Sequence, residues 1–443
     1  MSVRDDELAP RAGWPLGMNN LAGETALPVT DSGAPAAVRE ADNVDFDVAG
    51  KPHRRDGYTL AVPGTRVHSA WGDATWPWGL FVSGDTLTAL HPDERSEPLV
   101  DGLAPGWPVA FERLNDSVLW SNGVQCGVLG LDLEAMPWAC PTPERAPRIE
   151  IEADGALDAG HYQLAMTFLD ARGRESGASN PIAFEMPANS RLRLSQLPQP
   201  LDVLRVPRVR VYLSSGLDGV FRVAATLPVG VTDLTLTEPA SGRALETLNL
   251  RPLPAGQGVC VHNGRQFVAR GAEVWFSPPL RYGLTHPGRD RVGFAGRVDL
   301  LAPVADGSDG AGLFVADAKR TYFLAGPSPA EWRQVIAYPV GAIPGALIRL
   351  PGEVWNLPTK APLPVWIARN GRVCVGLPGG QVITPQPREG SPDAVLDAAS
   401  RGALLYREHG GKQQLITTLR DAQPQSLAVR DRAIARVYRH DDP

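Results

Sequence analysis

The chain has 443 residues, 43% hydrophobic and 21% charged, which excludes a disordered protein and leaves room for two or three folded domains. A formal net charge of -6 argues against a protein that coats nucleic acid over its whole surface, though a local basic surface stays open. The 46 Gly and 42 Pro are spread along the chain, as punctuation between short strands rather than as a low-complexity block.

The opening MSVRDDELAPRAGW shows no apolar core of a secretory signal. No stretch reaches the roughly 18 apolar residues that span a bilayer, so synthesis and assembly are expected in the cytosol. Cys126, Cys140, Cys260 and Cys374 contain no CxxC spacing, so neither a zinc ribbon nor a redox pair is expected. Buried thiols in a reduced compartment are the ordinary expectation.

From the N-terminus, the first sharply written element is Asn43 to Val62, which alternates apolar and polar residues around Gly50 and predicts a hairpin. Gly79–Val82 and Thr86–Leu90 flank a Ser-Gly-Asp turn and predict another. The same phrase returns at 109–128. After residue 250 it recurs at 258–277, a three-strand meander with turns at Asn263-Gly264 and Arg270-Gly271, then at 312–324, 365–376 and 402–418. The spacing of about 40 to 50 residues, in about six units, fits the blades of a β-propeller. Two unrelated β-sandwiches are the alternative.

The stretch between these groups differs. Six or seven strand signals with frequent turns, among them the long alternating run Gly160–Asp170, predict an immunoglobulin-like sandwich without the paired Cys of antibody domains. Gly160-His161-Tyr162 and the following Asp-Ala-Arg-Gly turn resemble a fibronectin type III module. The Pro-rich flanks 141–147 and 251–254 mark where the insertion leaves and rejoins its host. The expected fold is therefore all-β, with propeller-like repeats interrupted by a fibronectin III-like sandwich. The expected segments are an N-terminal arm and leading hairpin (1–65), propeller first part (66–146), inserted sandwich (147–250), propeller second part (251–420) and basic tail (421–443).

Chemistry is sparsely written. HExxH, GxSxG, the phosphate-binding P-loop and a GxGxxG between strand and helix are all absent from the sequence. Asp42, Asp45 and Asp47 have partly calcium-like spacing, but apolar Val44 and Phe46 interrupt them and no bidentate Glu follows. Solvent-facing carboxylates on a strand are the ordinary reading. The loop Ala305-Asp306-Gly307-Ser308-Asp309-Gly310 reads as a surface turn, and Glu331-Trp332 and Trp76-Pro77-Trp78 as packing aromatics rather than a sugar site. The tail, Ser426 to His440, carries four Arg. It is open between an amphipathic helix and a closing strand, and between subunit or phosphate contact and a solvated end. No catalytic residue, cofactor or metal site is expected, and no enzymatic activity.

Gly17–Leu21, Glu24–Pro28, Val38–Asp47 and Gly50–Tyr58 together resemble the start of tailed-bacteriophage virion structural proteins. The resemblance is to the β-propeller tail nozzle, or lower tail tube, proteins of short-tailed phages; it is specific over 17–62 and looser beyond. It implies a structural subunit of the virion tail, assembled in the host cytoplasm, in a homo-oligomeric ring that is commonly sixfold. Portal and adaptor proteins and tail fibres would be its partners, and double-stranded DNA would pass through its channel. Arg54 and Arg55 place guanidinium forks suited to a neighbour's carboxylates, or stand solvated at a strand end. With Arg39, Tyr58, Arg430 and Arg436 they are the expected assembly contacts. A tail-tip or receptor-binding adhesion protein is the alternative; a propeller glycosidase would need a carboxylate pair that no motif supplies.

Overall fold

The computed structural model describes residues 27, 29–31, 36–38, 44–46, 51–54, 60, 62–73, 75–105, 108–215, 219–304, 310–385, 394–395, 400–409, 412–420 and 423–424. Every regular element among them is a β-strand or a single 3-10 turn, so the fold is all-β. Strands β1 (Val44–Phe46) and β2 (Pro52–Arg54) pair antiparallel, with Val44 opposite Arg54. They bracket Gly50, as the leading hairpin requires. Strands β3 (His68–Trp71), β4 (Gly79–Ser83), β5 (Thr86–Leu90) and β6 (Ser96–Val100) form an antiparallel meander in chain order. Gly84, at φ 64, makes the β4–β5 turn without the penalty a Cβ would bring. Strands β7 (Ala110–Leu114), β8 (Ser117–Ser121), β9 (Cys126–Gly130) and β10 (Ala135–Met136) repeat the plan.

Seven strands follow: β11 (Arg148–Leu157), β12 (Gly160–Leu169), β13 (Ile182–Met186), β14 (Ser190–Ser195), β15 (Arg208–Ser215), β16 (Arg222–Pro228) and β17 (Leu234–Leu236). They make two sheets, ordered β13-β12-β15-β16 and β11-β14-β17. Leu164, Met166, Val211 and Leu213 of the first meet Leu157, Leu192, Leu194 and Leu236 of the second in one core, which makes a two-layer sandwich. The neighbours β12-β15-β16 follow the C-F-G order of an immunoglobulin sheet, and β11-β14 the B-E pair. The other sheet departs from that plan: its third strand is the last in the segment, β17, placed beside β14, rather than a first strand beside β11. The fibronectin III label thus rests on the sequence alone.

The repeat then resumes. Short β18 (Arg251–Pro252) leads into β19 (Gly258–His262), β20 (Arg265–Arg270) and β21 (Glu273–Phe276); β22 (Leu284–Thr285) returns to pair with β18, and β23 (Arg291–Gly293) completes the sheet β19-β20-β21-β23. Strands β24 (Leu300–Val304), β25 (Gly312–Ala316), β26 (Thr321–Ala325) and β27 (Arg333–Tyr338) form the next meander. Strands β28 (Ala342–Pro351), β29 (Pro362–Ala368), β30 (Val373–Gly376) and β31 (Val382–Ile383) form the one after it. Strands β32 (Ala394–Val395) and β35 (Gln423–Pro424) pair with each other, as do β33 (Arg401–His409) and β34 (Lys412–Arg420). Five four-stranded meanders thus recur among the described residues, the propeller-like repeat the sequence predicted; the last predicted unit is a two-stranded hairpin. Its inner strands, such as Gly-Leu-Phe-Val-Ala of β25, are buried on both faces and so read as continuous apolar runs. Outer strands such as β27 are exposed.

The chain divides into two compact units. One comprises Met1–Gly84, Leu90–Ser96 and Ala295–Pro443. In it the β24–β27 and β28–β31 sheets share a core in which the Phe314 ring lies 4.9 Å from Phe323 and 5.5 Å from Trp366. Gly376 admits that stack, since a Cβ there would stand 2.5 Å from the Phe314 ring. The β33–β34 hairpin joins through Leu419 against Ile343, Ala346 and Ile367.

The other unit comprises Asp85–Ala89 and Glu97–Phe294. Here the β7–β10 and β19–β23 sheets, on either side of the sandwich in sequence, pack directly on one another. Leu119, Val128 and Met136 meet Leu253, Val259 and Val268. Ser121 Oγ donates to the Gly256 carbonyl at 2.7 Å and accepts from its N–H at 3.0 Å, and Trp138 Nε1 donates to the Leu253 carbonyl at 2.8 Å. The sandwich is an excursion between two sheets that are neighbours in space.

Candidate interaction surfaces

Of the expected assembly contacts, Arg54 is described. It ends β2 and is exposed, its neighbour on the partner strand being apolar Val44. Arg39, Arg55, Tyr58, Arg430 and Arg436 lie outside the described residues, as do Asp42, Asp47 and loop residues 305–309. Trp76 and Trp78 are buried and cross edge to face at 5.2 Å, with Trp71 6.1 and 6.4 Å away, which is the packing arrangement of a small aromatic core. Glu331 is exposed and accepts from Ser328 Oγ at 3.0 Å.

Burial pushes the thiols of Cys126, Cys140 and Cys374 up to about 12, with Asp170 adding to the effect at Cys140. They are protonated and unreactive at neutral pH. Among the described residues, no group of three or more His, Cys, Asp or Glu is placed to hold a metal ion, and no helix is long and apolar enough to cross a membrane.

The best-organised polar chemistry holds the sandwich to its neighbours. The buried Asp170 carboxylate accepts from the backbone N–H of Arg172 and Arg174, closing the turn after β12, and pairs with Arg174 Nε at 2.6 Å. The rest of that guanidinium reaches across to the sheet, donating to the carbonyls of Trp138 at 3.2 Å and Pro137 at 3.0 Å. Arg172 lies beside Asp132 and Glu134 of the β9–β10 loop, at 3.4 and 3.6 Å. On the return path Arg251 donates to the Ala178 carbonyl and to Asn180 Oδ1, at 2.8 and 2.7 Å, and Arg281 pairs with Glu246. Two crossings pinned by directional bonds constrain angle as well as distance, because guanidinium donors have a fixed fork.

A second cluster lies on the outer face of the β13-β12-β15-β16 sheet. Glu175, nearly buried, accepts from Thr167 and Tyr212 hydroxyls at 2.6 Å each and pairs with Arg210 at 3.2 Å and Arg243 at 2.8 Å. Arg243 belongs to the segment that leaves β17, so Glu175 fastens this strap across the sheet. Leu245 and Leu248 pack beneath it against Ala165, Ala178, Tyr212 and Phe221. Burial, and then the bond to Glu175, raise the Tyr212 hydroxyl above its usual range. Spacing in the sequence could not reveal Glu175, because its partners come from two strands, β12 and β15, and the strap.

One surface of the sandwich is apolar. In the loop before β15, Leu201 and Leu204 are almost wholly exposed and Val203 is half exposed. Asp202 organises the loop by accepting from the Arg205 N–H, while Val206 anchors it beside Phe168 and Val209.

No family model matches the chain, and no curated protein matches it. Among solved structures it is similar to BBS1N in complex with ARL6DN, at 12% identity over 82% of this chain and 92% of that one, with a TM-score of 0.32. It is similar to the N-terminal domain of Nup159, at 10% identity over 77% and 71%, TM-score 0.27. A third is the extracellular domain of the putative one component system BT4673 from B. thetaiotaomicron, at 8% identity over 79% and 44%, TM-score 0.22. None is named as a phage protein. The all-β fold of this chain is read from its own sheets.

Proposed function

We propose that the chain is a structural subunit of a bacteriophage tail, a ring-forming nozzle through which the genome leaves the particle. The observation that carries this reading is the leading phrase of residues 17–62, followed by propeller-like sheets. Rigid repeated sheets suit a load-bearing conduit, and a cyclic ring closes through heterologous contacts between identical subunits. The sandwich, pinned at both crossings by Arg174 and Arg251, serves in this reading as a fixed arm for docking tail fibres, and the protein acts without catalysis. Light scattering on the purified full chain tests the assembly: the mass of a closed ring of subunits is expected, and a persistent monomer would overturn it.

A second reading, a tail-tip or adhesion protein, is favoured by one feature. The exposed Leu201, Val203 and Leu204 would suit a contact loop, since apolar side chains grouped at one surface are characteristic of binding sites. A closed trimer in the same measurement would favour it.

A further inference from the structure

At one end of the β24–β27 and β28–β31 sheets, four short segments converge: 297–299, 317–320, 338–342 and 369–372. Their contact is fixed by backbone bonds. The Asp299 N–H donates to the Ala316 carbonyl, the Ala342 N–H to that of Asp317, and the Arg369 N–H to that of Gly341. Asn370 Nδ2 donates to the Tyr338 hydroxyl at 3.2 Å. These segments carry five cations, Arg297, Lys319, Arg320, Arg369 and Arg372, against two carboxylates, Asp299 and Asp317.

Both carboxylates are spent internally. Asp299 and Arg369 are buried together at 2.9 Å, with Arg297 3.4 Å away on the other carboxylate oxygen. Asp317 is buried and its Oδ1 accepts from the backbone N–H of Lys319 at 2.7 Å and of Arg320 at 2.8 Å, which shapes the β25–β26 turn. Lys319, Arg320 and Arg372 are exposed on two adjoining hairpin turns, and none of them has an ion-pair partner among the described residues. A chain of net charge -6 thus concentrates uncompensated positive charge on one end of two sheets.

We infer that this end of the sheets is a contact surface for the phosphate backbone of nucleic acid, with Lys319, Arg320 and Arg372 as the phosphate-facing groups. The cations sit on short turns whose backbone is already fixed, so little ordering is needed to present them. The aromatic of these segments, Tyr338, packs its ring against the shared core and its hydroxyl is taken by Asn370, so the contact is to backbone rather than to bases. Three phosphate contacts give weak, salt-sensitive attachment, which suits a duplex that must keep moving. The choice of nucleic acid over an acidic protein surface rests on the conduit reading above.

The experiment is fluorescence anisotropy of a labelled duplex of about 30 base pairs with the full chain, over a salt series, beside a poly-glutamate chain of similar charge. The variants are the triple charge reversal Lys319→Glu, Arg320→Glu, Arg372→Glu and the milder triple Ala replacement. Both leave Asp317 and its turn intact, and a melting curve checks that each folds. Duplex binding is expected for the native chain, with the slope of log K against log salt reduced by about 3 in both variants. An unchanged slope in folded variants, no duplex binding even at low salt, or binding of poly-glutamate in preference to the duplex would overturn the inference. A ring that forms but fails to bind DNA refutes this surface alone; DNA binding by a chain that never forms a ring supports the surface and refutes the conduit.

Discussion

Arg369 and Asp299 are the most deeply buried ion pair among those described, and pairs of this kind reveal themselves when one partner is lost. Replacing Arg369 by Met leaves the buried Asp299 carboxylate with the half-exposed Arg297, at 3.4 Å, as its ion-pair partner. A loss of about 3 kcal/mol is expected, because a half-exposed cation compensates a buried carboxylate poorly and removing one partner of a buried pair costs more than the pair gained; urea unfolding measures it. The thiols set an alkaline limit. The unfolded chain releases their protons near the ordinary 9.0, whereas the folded chain holds those of Cys126, Cys140 and Cys374 until about 12. Stability is therefore full below pH 9 and falls as pH rises between these values, by at most about 1.4 kcal/mol per thiol per pH unit. Melting curves from pH 8 to 11, on the native chain and on a variant with all three replaced by Ala, isolate this contribution. At Gly376 a methyl group would meet the Phe314 ring, so Gly376→Ala is expected to cost about 1 to 3 kcal/mol through overpacking, read from the shift in melting temperature.

Among the elements, hairpins with a glycine turn were the most legible in sequence. The meander from Gly258 to Phe276 has its strands and both turns where Asn263-Gly264 and Arg270-Gly271 put them, since these pairs supply the positive φ a tight turn needs. The fourth strand of each repeat was not legible. Strands β6 and β23 are short and mostly polar or half-buried, and β27 carries its apolar Val335 and Ile336 exposed, so burial leaves no clear pattern in them. The candidate surfaces were less legible still, because Asp170, Glu175 and Asp299 find their cations through the register of distant strands. The packing of β7–β10 on β19–β23 leads to a further expectation. Residues 138 and 253 are hydrogen-bonded to each other, so the sandwich can be removed between them and replaced by a short Gly-Ser linker. The shortened chain is expected to keep a cooperative melt and hydrogen-exchange protection at Leu119 and Val268; loss of both would mean the sandwich is needed to hold these sheets together.

For the whole molecule, we propose assembly: a repeated-sheet subunit that closes into a conduit. The leading phrase of residues 17–62 and the five recurring four-stranded sheets support it. Negative-stain microscopy of the purified full chain tests it most directly. Class averages showing a closed ring with a central pore wide enough for duplex DNA are the predicted result. Single particles without a pore, at concentrations where light scattering finds no larger species, would contradict it.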